Sequence, residues 1–462
     1  MAFFKAYDMR GTYGRDFDLD VVYRVGRALP EIVGGKRWLV GRDCRGTSAA
    51  VRDALSQGLL DGGANVSDLG LCTTPMVYHF TAADDYDGSV MITASHNPPS
   101  DNGLKVSRRT ALPVGYADGL DRVERRLPEI PCEFRAGRAT GIRETNHSAR
   151  YLEFLRGKIA ALPKLDALRI GVDCSCGMST LFARELFPAA EIINDRLDGS
   201  FPCHSPNPLD PAARAQLAAL IREKKLDCGV IFDGDADRAM FLDERGEFVQ
   251  PDYLIPILAR QMLPRGKTAA PVKVLHDVRT SRGAIEALRE LGCEPMMVPV
   301  GHAFAKPKMR ETGALCGGEL AGHYYFGDFH GCDSGLLAAA RILGEFAAFR
   351  ARGGAAFSAM LAPVMSRYAN SGELNFKVAD KSAAIKRVLA AAAAFGQITG
   401  RETMDGVRLE FADGWVNVRE SNTEPYLRLI VEARERAELE RRVDRLSAAI
   451  AAADSGADGA KQ

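Results

Sequence analysis

Three stretches of the chain share one pattern, in which a short apolar run ends at an aspartate and a turn then leads into helical periodicity. After the first run, Val51, Leu55 and Leu59 recur at the i, i+4 spacing of a helix. Strands that alternate with helices are typical of mostly parallel sheets, whose ligands gather at the carboxyl ends of the strands. The pattern therefore predicts three α/β units. Their apolar runs are residues 38–43, 168–173 and 272–277.

The pattern changes near Tyr368 and predicts a fourth part of a different kind. Strand-like residues 373–377 and 407–411 flank an Ala-rich helix, and a last amphipathic helix places Leu439 and Leu446 on one face. The Gly-, Ala- and Asp-rich tail is expected to be disordered. The predicted fold class is α/β, with three tandem mixed-sheet α/β domains and a C-terminal α+β domain. The predicted domains are residues 1–147, 148–250, 251–365 and 366–462.

A loop rich in reactive side chains follows the apolar strand predicted at residues 89–93. It contains Ser95, His96 and Lys105, so a hydroxyl, an imidazole and an ammonium group lie in one short segment. Phosphoryl chemistry on a serine usually needs such groups. The alternative is a surface turn in which Ser95 bonds only its own backbone. The local pattern leaves both interpretations open.

Three aspartates at alternate positions follow another apolar strand, residues 228–232. Asp233, Asp235 and Asp237 would repel one another without a divalent cation, so the pattern predicts a metal site. An EF-hand loop is disfavoured because Arg238 stands where that loop needs glycine. Two other interpretations are an aspartate-nucleophile phosphatase and a solvated acidic turn. The third carboxylate disfavours the phosphatase.

Two later loops carry groups suited to a sugar and to a phosphate. Glu319 lies in a glycine-rich segment and can accept hydrogen bonds from two neighbouring hydroxyls, although a capped glycine turn is the alternative. Near the end of the chain, Arg419 opens a polar turn whose guanidinium, hydroxyl and amide groups match phosphate oxygens. A plain polar hairpin explains that turn equally well.

Charge, apolar runs and cysteine content indicate what kind of protein this is and which partners are disfavoured. Lys plus Arg and Asp plus Glu number 60 each, so no overall field favours nucleic acid or an anionic membrane. Charged residues occur too close to the start of the chain for the apolar region of a signal peptide. The sequence also lacks a run of about 18 apolar residues, as a membrane-spanning helix would need. The ten irregularly spaced cysteines predict reduced, mostly buried thiols. We expect a cytoplasmic protein that binds neither nucleic acid nor membranes, as a monomer or weak homo-oligomer.

Taken in order, these loops resemble the α-D-phosphohexomutase family, and within it the bacterial phosphomannomutase/phosphoglucomutase type. The resemblance covers nearly the whole chain and implies domains around a central cleft. It also implies an isomerase of carbohydrate metabolism that acts on hexose phosphates, with Mg²⁺ as cofactor and a hexose 1,6-bisphosphate as intermediate and activator. The matching segments are residues 4–11, 93–98, 233–238, 300–306, 318–323 and 419–423.

The resemblance also implies a role for each matching residue. Ser95 would carry the phosphoryl group, and its phosphate would share the Mg²⁺ ion with the aspartates. The implied metal ligands are Ser95, Asp233, Asp235 and Asp237. The implied catalytic residues are Ser95, His96, Lys105 and Arg10, without a decision on which moves the proton. The implied substrate-binding residues are Tyr7, Arg238, Arg279, His302, Lys306, Glu319, Ala321, His323, Arg419, Ser421, Asn422 and Thr423.

Substrate preference depends on the segment around the sugar loop. The family often has Met-Ser after the glutamate, where this chain has Leu320 and Ala321. Residues 323–335 are most similar to the phosphomannomutases of nucleotide-sugar synthesis, so interconversion of mannose 1-phosphate and mannose 6-phosphate is expected first. The alternatives are a preference for glucose or glucosamine phosphates and, from another class, a non-catalytic sugar-phosphate sensor.

Overall fold

Four β-sheets, each with its own helices, follow one another along the chain. The structure is a computed structural model, and it describes residues 1–137, 141–264, 266, 270–421 and 426–455. The first three sheets mix parallel and antiparallel pairs, and the fourth is antiparallel. The predicted fold class is therefore confirmed, whereas the bounds of the four predicted domains stay predictions.

The first sheet brings two loops to one edge. Its order is β1-β5-β4-β2-β3-β7, with β6 beside β5, and β2, β3 and β4 run parallel. The loops after β2 and β4 therefore meet at the carboxyl edge. The strands are β1 (Met9–Thr12), β2 (Arg37–Arg42), β3 (Asn65–Leu71), β4 (Gly88–Ile92), β5 (Asp101–Arg108), β6 (Leu112–Pro113) and β7 (Arg143–Glu144); the helices are α1 (Leu19–Ile32), α2 (Ser48–Asp61), α3 (Thr74–Ala83) and α4 (Asp121–Arg126).

The second sheet has the order β12-β11-β10-β8-β9, in which β8, β9 and β10 are parallel. The helix expected after its first strand is short, because Pro188 disfavours helical backbone at Phe187. The elements are α5 (Ser148–Ile159), β8 (Ile170–Asp173), α6 (Ala183–Leu186), β9 (Glu191–Ile193), α7 (Ala215–Lys224), β10 (Cys228–Phe232), β11 (Ala239–Leu242) and β12 (Phe248–Val249).

The third sheet repeats this plan in the order β14-β13-β15-β16-β17. Helix α11 is buried along most of its length because it packs against α5, α8 and β11, and one apolar core continues through parts of the first three domains. The elements are α8 (Ile255–Met262), β13 (Val272–Asp277), α9 (Arg282–Glu290), β14 (Cys293–Val298), α10 (His302–Thr312), β15 (Cys316–Gly318), β16 (Tyr324–Phe326), β17 (Cys332–Asp333), α11 (Gly335–Ala351) and α12 (Phe357–Met365).

The fourth sheet has a separate core and touches the third domain through polar contacts and through an apolar contact of Leu320 with Trp415 and Ile430. Arg408 donates to the carbonyls of Val278 and Thr280 at 2.6 and 2.9 Å. The predicted disordered tail, residues 456–462, lies outside the described residues. The elements are β18 (Ala369–Asn370), β19 (Leu374–Phe376), α13 (Lys381–Ala392), β20 (Gly400–Glu402), β21 (Val407–Phe411), β22 (Gly414–Glu420), β23 (Leu427–Ala433) and α14 (Arg436–Ser455).

Within these described ranges, none of the helices is long and apolar enough to cross a membrane.

We predict that Asp252, buried between the second and third sheets, makes the protein less stable as the pH rises toward neutrality. Its Oδ2 accepts a hydrogen bond from the Ser281 backbone N–H at 2.8 Å, and its Oδ1 has no hydrogen-bond partner in the described part of the chain. Burial raises the pKa of Asp252 to about 7. The folded protein therefore keeps a proton that the unfolded chain releases above about pH 4, and stability is lost between about pH 4 and 7.

The variant Asp252→Asn removes this titration. In thermal denaturation, we expect its melting temperature relative to the parent protein to be higher at pH 8 than at pH 5. Asp85→Asn, which removes an exposed carboxylate, should differ from the parent by the same amount at both pH values. An Asp252→Asn difference that does not change with pH would contradict the prediction.

Candidate active site

Ser95 stands just beyond the end of β4 in strained backbone. Its φ is 51°, in the left-handed region, and it is 1% exposed. The Ser95 Oγ donates to Asp233 Oδ2 at 2.7 Å and lies 3.2 Å from His96 Nδ1. A non-glycine residue keeps such a conformation when its surroundings fix it, and strain of this kind is common at functional sites. The structure therefore brings Ser95, His96 and the first aspartate of the triplet together.

Arg45 holds the serine loop and was missed in the sequence. Its buried guanidinium donates to four loop carbonyls, those of Ser95, Asn97, Pro98 and Asp101, at 2.8, 2.7, 2.6 and 3.0 Å. A signal for this residue was present, because an Asp-x-Arg sequence follows both β2 and β13. In each case the aspartate accepts hydrogen bonds from the arginine backbone N–H and Nε.

The three aspartates are buried side by side and are joined to the first domain by Lys105. The Lys105 Nζ donates to Asp235 Oδ2 at 2.7 Å and to Asp237 Oδ2 at 2.6 Å. Thr74 Oγ1 donates to Asp235 Oδ2 at 2.5 Å. Within the described residues, Asp235 Oδ1 and Asp237 Oδ1 have no hydrogen-bond partner. Buried carboxylate oxygens left in this way fit the ligand set of a hard divalent cation.

The electrostatics of this group follow from burial and mutual repulsion. Burial, and then the charges of Asp237 and Asp235, raise the pKa of Asp233 well above its usual range. Burial alone would lower the pKa of Lys105, but the two carboxylates that it contacts outweigh this and raise it. Burial and repulsion therefore favour the neutral form of Asp233, and a divalent cation would offset the repulsion among the three carboxylates.

Two further predicted residues surround the serine from the other side. Arg10 donates to Asp8 Oδ2 at 2.6 Å and to Asn97 Oδ1 at 3.1 Å, so it braces the serine loop. The Arg238 Nε lies 3.8 Å from Asp233 Oδ2 and 3.8 Å from Asp237 Oδ1. Arg238 therefore borders the acidic triplet, whereas Arg10 contacts the serine loop.

A histidine and a lysine predicted to bind substrate converge on Asp333. The His323 Nδ1 is 2.7 Å from Asp333 Oδ2 and 3.8 Å from Asp237 Oδ1. The Lys306 Nζ is 2.9 Å from Asp333 Oδ1. His302 is close by, with its ring centroid 6.2 Å from that of His323. Asp333 was not predicted as a site residue, although it lies in the segment on which the substrate preference was based.

Tyr7 connects the first domain to the third beside His302, with ring centroids 6.4 Å apart. Its hydroxyl donates to the Val300 carbonyl at 3.1 Å, and its ring packs edge-on against Phe304 with centroids 5.7 Å apart. A Cβ at Gly301 would lie 3.1 Å from this ring, so the glycine permits the close approach. Tyr7 therefore seats the loop that precedes His302.

Glu319 is buried and positioned by three donors. Its Oε1 accepts from the Tyr325 hydroxyl at 2.5 Å, and its Oε2 accepts from the Gly301 N–H at 3.2 Å. Arg279 Nη2 lies 3.9 Å from the same Oε2. Burial raises the pKa of Glu319 above its usual range. Ala321 is half-buried in the turn that follows.

Three arginines gather around Glu373 at the junction of the third and fourth domains. Its carboxylate accepts from Arg279 Nη1 at 3.2 Å, Arg419 Nη2 at 3.1 Å and Arg428 Nη1 at 2.7 Å. Burial would raise the pKa of Glu373, but the three guanidinium groups lower it to about 2. So dense a cluster of buried cations suits an anionic ligand.

Sequence reasoning found two of these arginines and missed Glu373 and Arg428. Arg428 is paired with Arg419 in register across β22 and β23, so both side chains lie on one face of the hairpin. That signal depends on knowing the register. Ser421 closes the strand pair with its N–H donating to the Tyr426 carbonyl at 2.9 Å. The predicted residues Asn422 and Thr423 lie outside the described residues.

The arrangement therefore has three parts along one cleft, drawn from four domains. A serine hydroxyl stands beside an acidic triplet at one end, a buried glutamate with nearby histidine and lysine lies in the middle, and an arginine cluster lies at the other end. Such a site can hold an anion at each end of a polar molecule and can transfer a group to or from the serine. The individual residue roles stay predictions.

Four family models match the chain in succession. Their descriptions are phosphoglucomutase/phosphomannomutase, alpha/beta/alpha domains I, II and III and C-terminal domain. The matched residues are 1–130, 149–246, 250–368 and 373–449.

Individual relatives agree with these models. A phosphomannomutase of Escherichia coli is 34% identical over 446 residues, which are 93% of this chain and 95% of the relative. Phosphohexose mutases of Xanthomonas campestris pv. campestris are 35% identical over 450 residues, covering 96% and 98%. The solved structure of a phosphoglucomutase/phosphomannomutase family protein from Burkholderia thailandensis has a TM-score of 0.84 at 31% identity, covering 98% and 97%.

A more distant structure shares the fold alone. It is an N-acetylphosphoglucosamine mutase of Aspergillus fumigatus in complex with GlcNAc-6P and magnesium, with a TM-score of 0.62 at 15% identity, covering 98% of this chain and 96% of that one. The family models and the near-full-length relatives together identify the chain as an isomerase of the phosphohexomutase kind. It belongs to the phosphoglucomutase/phosphomannomutase family.

Proposed function

We propose that the enzyme interconverts mannose 1-phosphate and mannose 6-phosphate through a phosphoserine at Ser95 and a hexose 1,6-bisphosphate. The observation that carries this proposal is the buried Ser95 hydroxyl, which lies 2.7 Å from Asp233 within the triplet that Lys105 bridges. The preference for mannose is supported by relatives named phosphomannomutase at 34–35% identity. Glucose phosphates are the second candidate substrates, and glucosamine phosphate is a third.

Asp233, Asp235 and Asp237 would hold Mg²⁺ together with an oxygen of phospho-Ser95. Support comes from the buried Asp235 and Asp237 oxygens that lack a hydrogen-bond partner in the described ranges, and from the magnesium in the Aspergillus fumigatus complex. When bound, the ion supplies positive charge next to the phosphoryl group during transfer. Arg238, 3.8 Å from two of the carboxylates, would face the same phosphoryl group.

The proton of the accepting hydroxyl needs a nearby base. His96 Nδ1 lies 3.2 Å from Ser95 Oγ, within reach after a small adjustment. Lys105 is engaged by two carboxylates, and Arg10 is engaged by Asp8 and Asn97. These contacts favour His96 as the residue that takes and returns the proton at Ser95, with Lys105 and Arg10 as charge stabilisers.

The sugar and its second phosphate would bind along the rest of the cleft. Glu319 would accept sugar hydroxyls mainly through Oε2, because the Tyr325 hydroxyl already occupies Oε1. Asp333 would orient His323 and Lys306 toward the substrate. The non-reacting phosphate would replace Glu373 among the arginines. The intermediate must turn end over end, so both of its phosphates must fit both ends of the cleft.

Phosphorus NMR tests this function directly. The protein with Mg²⁺, mannose 1-phosphate and a trace of hexose 1,6-bisphosphate should produce a growing 6-phosphate signal without free phosphate. The same run with glucose 1-phosphate and glucosamine 1-phosphate ranks the sugars. Release of free phosphate would indicate a phosphatase instead, and no change with any of the three sugars would indicate a non-catalytic sensor.

Ser95→Ala should lower turnover in this assay by about a thousandfold or more, because the variant lacks the hydroxyl that is proposed to carry the phosphoryl group. Ser100→Ala is the matched control, since Ser100 is exposed in the same loop and should leave turnover unchanged. Intact-protein mass spectrometry should find a single phosphoryl group on the parent and on Ser100→Ala, but not on Ser95→Ala. Normal turnover by Ser95→Ala would rule out the phosphoserine.

We predict that Mg²⁺ stabilises the folded protein through the acidic triplet. Adding millimolar Mg²⁺ after chelation should raise the melting temperature of the parent, because the ion binds only the folded state. Asp237→Asn should lose most of this shift together with mutase activity, whereas Asp85→Asn removes one exposed charge and should keep both. An equal Mg²⁺ shift in Asp237→Asn and the parent would contradict the site.

Glu319→Gln keeps the shape of the side chain and removes its charge. We expect kcat/KM to fall about 10- to 100-fold with both mannose and glucose phosphates, since charged hydrogen bonds to the sugar are lost. Glu311→Gln, an exposed residue on α10, serves as the control and should leave the kinetics unchanged. Unaltered kcat/KM in Glu319→Gln with either sugar would remove its role in binding hydroxyls.

A further inference from the structure

Two cysteine thiols face each other close to residues 233–238, the loop that carries the acidic triplet and is called the metal loop below. The Cys176 Sγ donates toward the Cys203 Sγ at 3.6 Å, and both are free thiols. Cys176 is buried in the loop after β8, whereas Cys203 is exposed in the segment that follows β9. We propose that Cys176 and Cys203 form a reversible disulfide whose formation lowers the enzyme's activity. The effect on activity rests on the proposed function, whereas the disulfide itself does not.

The bond requires the two sulfur atoms to approach by about 1.5 Å, because a disulfide S–S distance is about 2.05 Å. Cys176 is anchored, since its carbonyl accepts from the Asp198 N–H at 3.0 Å. On the far side of Cys203, the imidazole of His204 is held 3.1 Å from Asp173. Because Cys176 and His204 are both held in place, we expect formation of the bond to displace the residues that precede Cys203.

Those residues are packed between the loop after β2, which carries Arg45, and the metal loop. The Phe201 ring lies under the Arg45 guanidinium, 5.0 Å from its centre, and a Cβ on Gly234 would lie 3.4 Å from that ring. A Cβ on Gly199 would come within 2.2 Å of the Cys44 carbonyl, so no space separates the two segments. Displacing Phe201 would therefore disturb the arginine that holds the serine loop and the loop that carries the aspartates.

Hydrogen peroxide can oxidise the two thiols to the disulfide in two steps. Hydrogen peroxide oxidises the exposed Cys203 thiol to a sulfenic acid and releases one water molecule. The Cys176 sulfur then attacks the Cys203 sulfur, the S–O bond breaks, and a second water molecule leaves. Two thiols lose two electrons and two protons, and one peroxide becomes two water molecules. Burial, followed by the contact with Cys203, raises the pKa of Cys176 to about 12, which agrees with Cys203 being the thiol that reacts first.

The neighbouring thiols are less suited to the bond. Cys44 directs its thiol toward the Cys176 carbonyl, at 3.7 Å, and not toward a sulfur atom. Cys174 is fully buried, and burial raises its thiol pKa to about 12. The geometry therefore selects one pair.

The test treats the purified full-length protein with hydrogen peroxide, blocks the remaining thiols by alkylation and digests with trypsin. We expect a linked pair of peptides, residues 170–184 and 197–214, whose fragmentation assigns the bond to Cys176 and not to Cys174. Mutase activity should fall about tenfold as the bond forms, because ångström-scale displacement of reacting groups costs at least this much. Dithiothreitol should restore both the free peptides and the activity.

Matched variants separate this bond from general oxidation. Cys203→Ser, at an exposed position, should give no linked peptide and should keep its activity after peroxide, and Cys176→Ser should behave alike. Cys44→Ser and Cys132→Ser should link and lose activity like the parent. Oxidation of Cys203 without any linked peptide would overturn the site, and a linked protein with unchanged activity would overturn its effect. If the protein fails to turn over any hexose phosphate, the linked peptide still decides the site, and a dithiothreitol-reversible change in melting temperature replaces the activity readout.

Discussion

The double ion pair between Lys105 and the aspartates is the interaction on which the arrangement of the cleft depends. Lys105 lies on β5 of the first sheet, whereas Asp235 and Asp237 follow β10 of the second. All three side chains are buried, so removing any one of them would leave buried charge without its partner. Buried charges of this kind are costly when unpaired and are therefore more effective at fixing a geometry than at adding stability.

The same constraint explains why so many arginines are buried in this protein. Arg45 and Arg279 each follow a strand and an aspartate, and that aspartate fixes the guanidinium while its remaining donors reach a second loop. A planar guanidinium group has five donors in a rigid fork, so it can satisfy more carbonyl or carboxylate oxygens at once than the three donors of a lysine. The loops of the candidate active site are thus ordered by side chains that follow neighbouring strands and not by their own secondary structure.

Sequence patterns were sufficient for the elements that end at the cleft. The apolar run before Asp233 is β10, and the run before the serine loop is β4, because continuous apolar strands and the turns after them are local properties. Patterns were insufficient for Asp333, Glu373 and Arg428, because their partners belong to other elements of the chain. The sequence around Glu373 is that of an ordinary surface carboxylate, and local patterns do not show that three guanidinium groups pack around it.

Glu373 has a consequence for how long a ligand can stay. An anion that enters the arginine cluster must first displace a carboxylate that is already bound there, so the free energy of breaking those ion pairs is subtracted from its affinity. Glu373 belongs to the same chain as the arginines, so it competes with the ligand for them at a high effective concentration that does not depend on dilution. If the ligand is released at one end, rotates and is captured again at the other, as the proposed reaction requires, moderate retention with a short residence time would be more useful than tight binding.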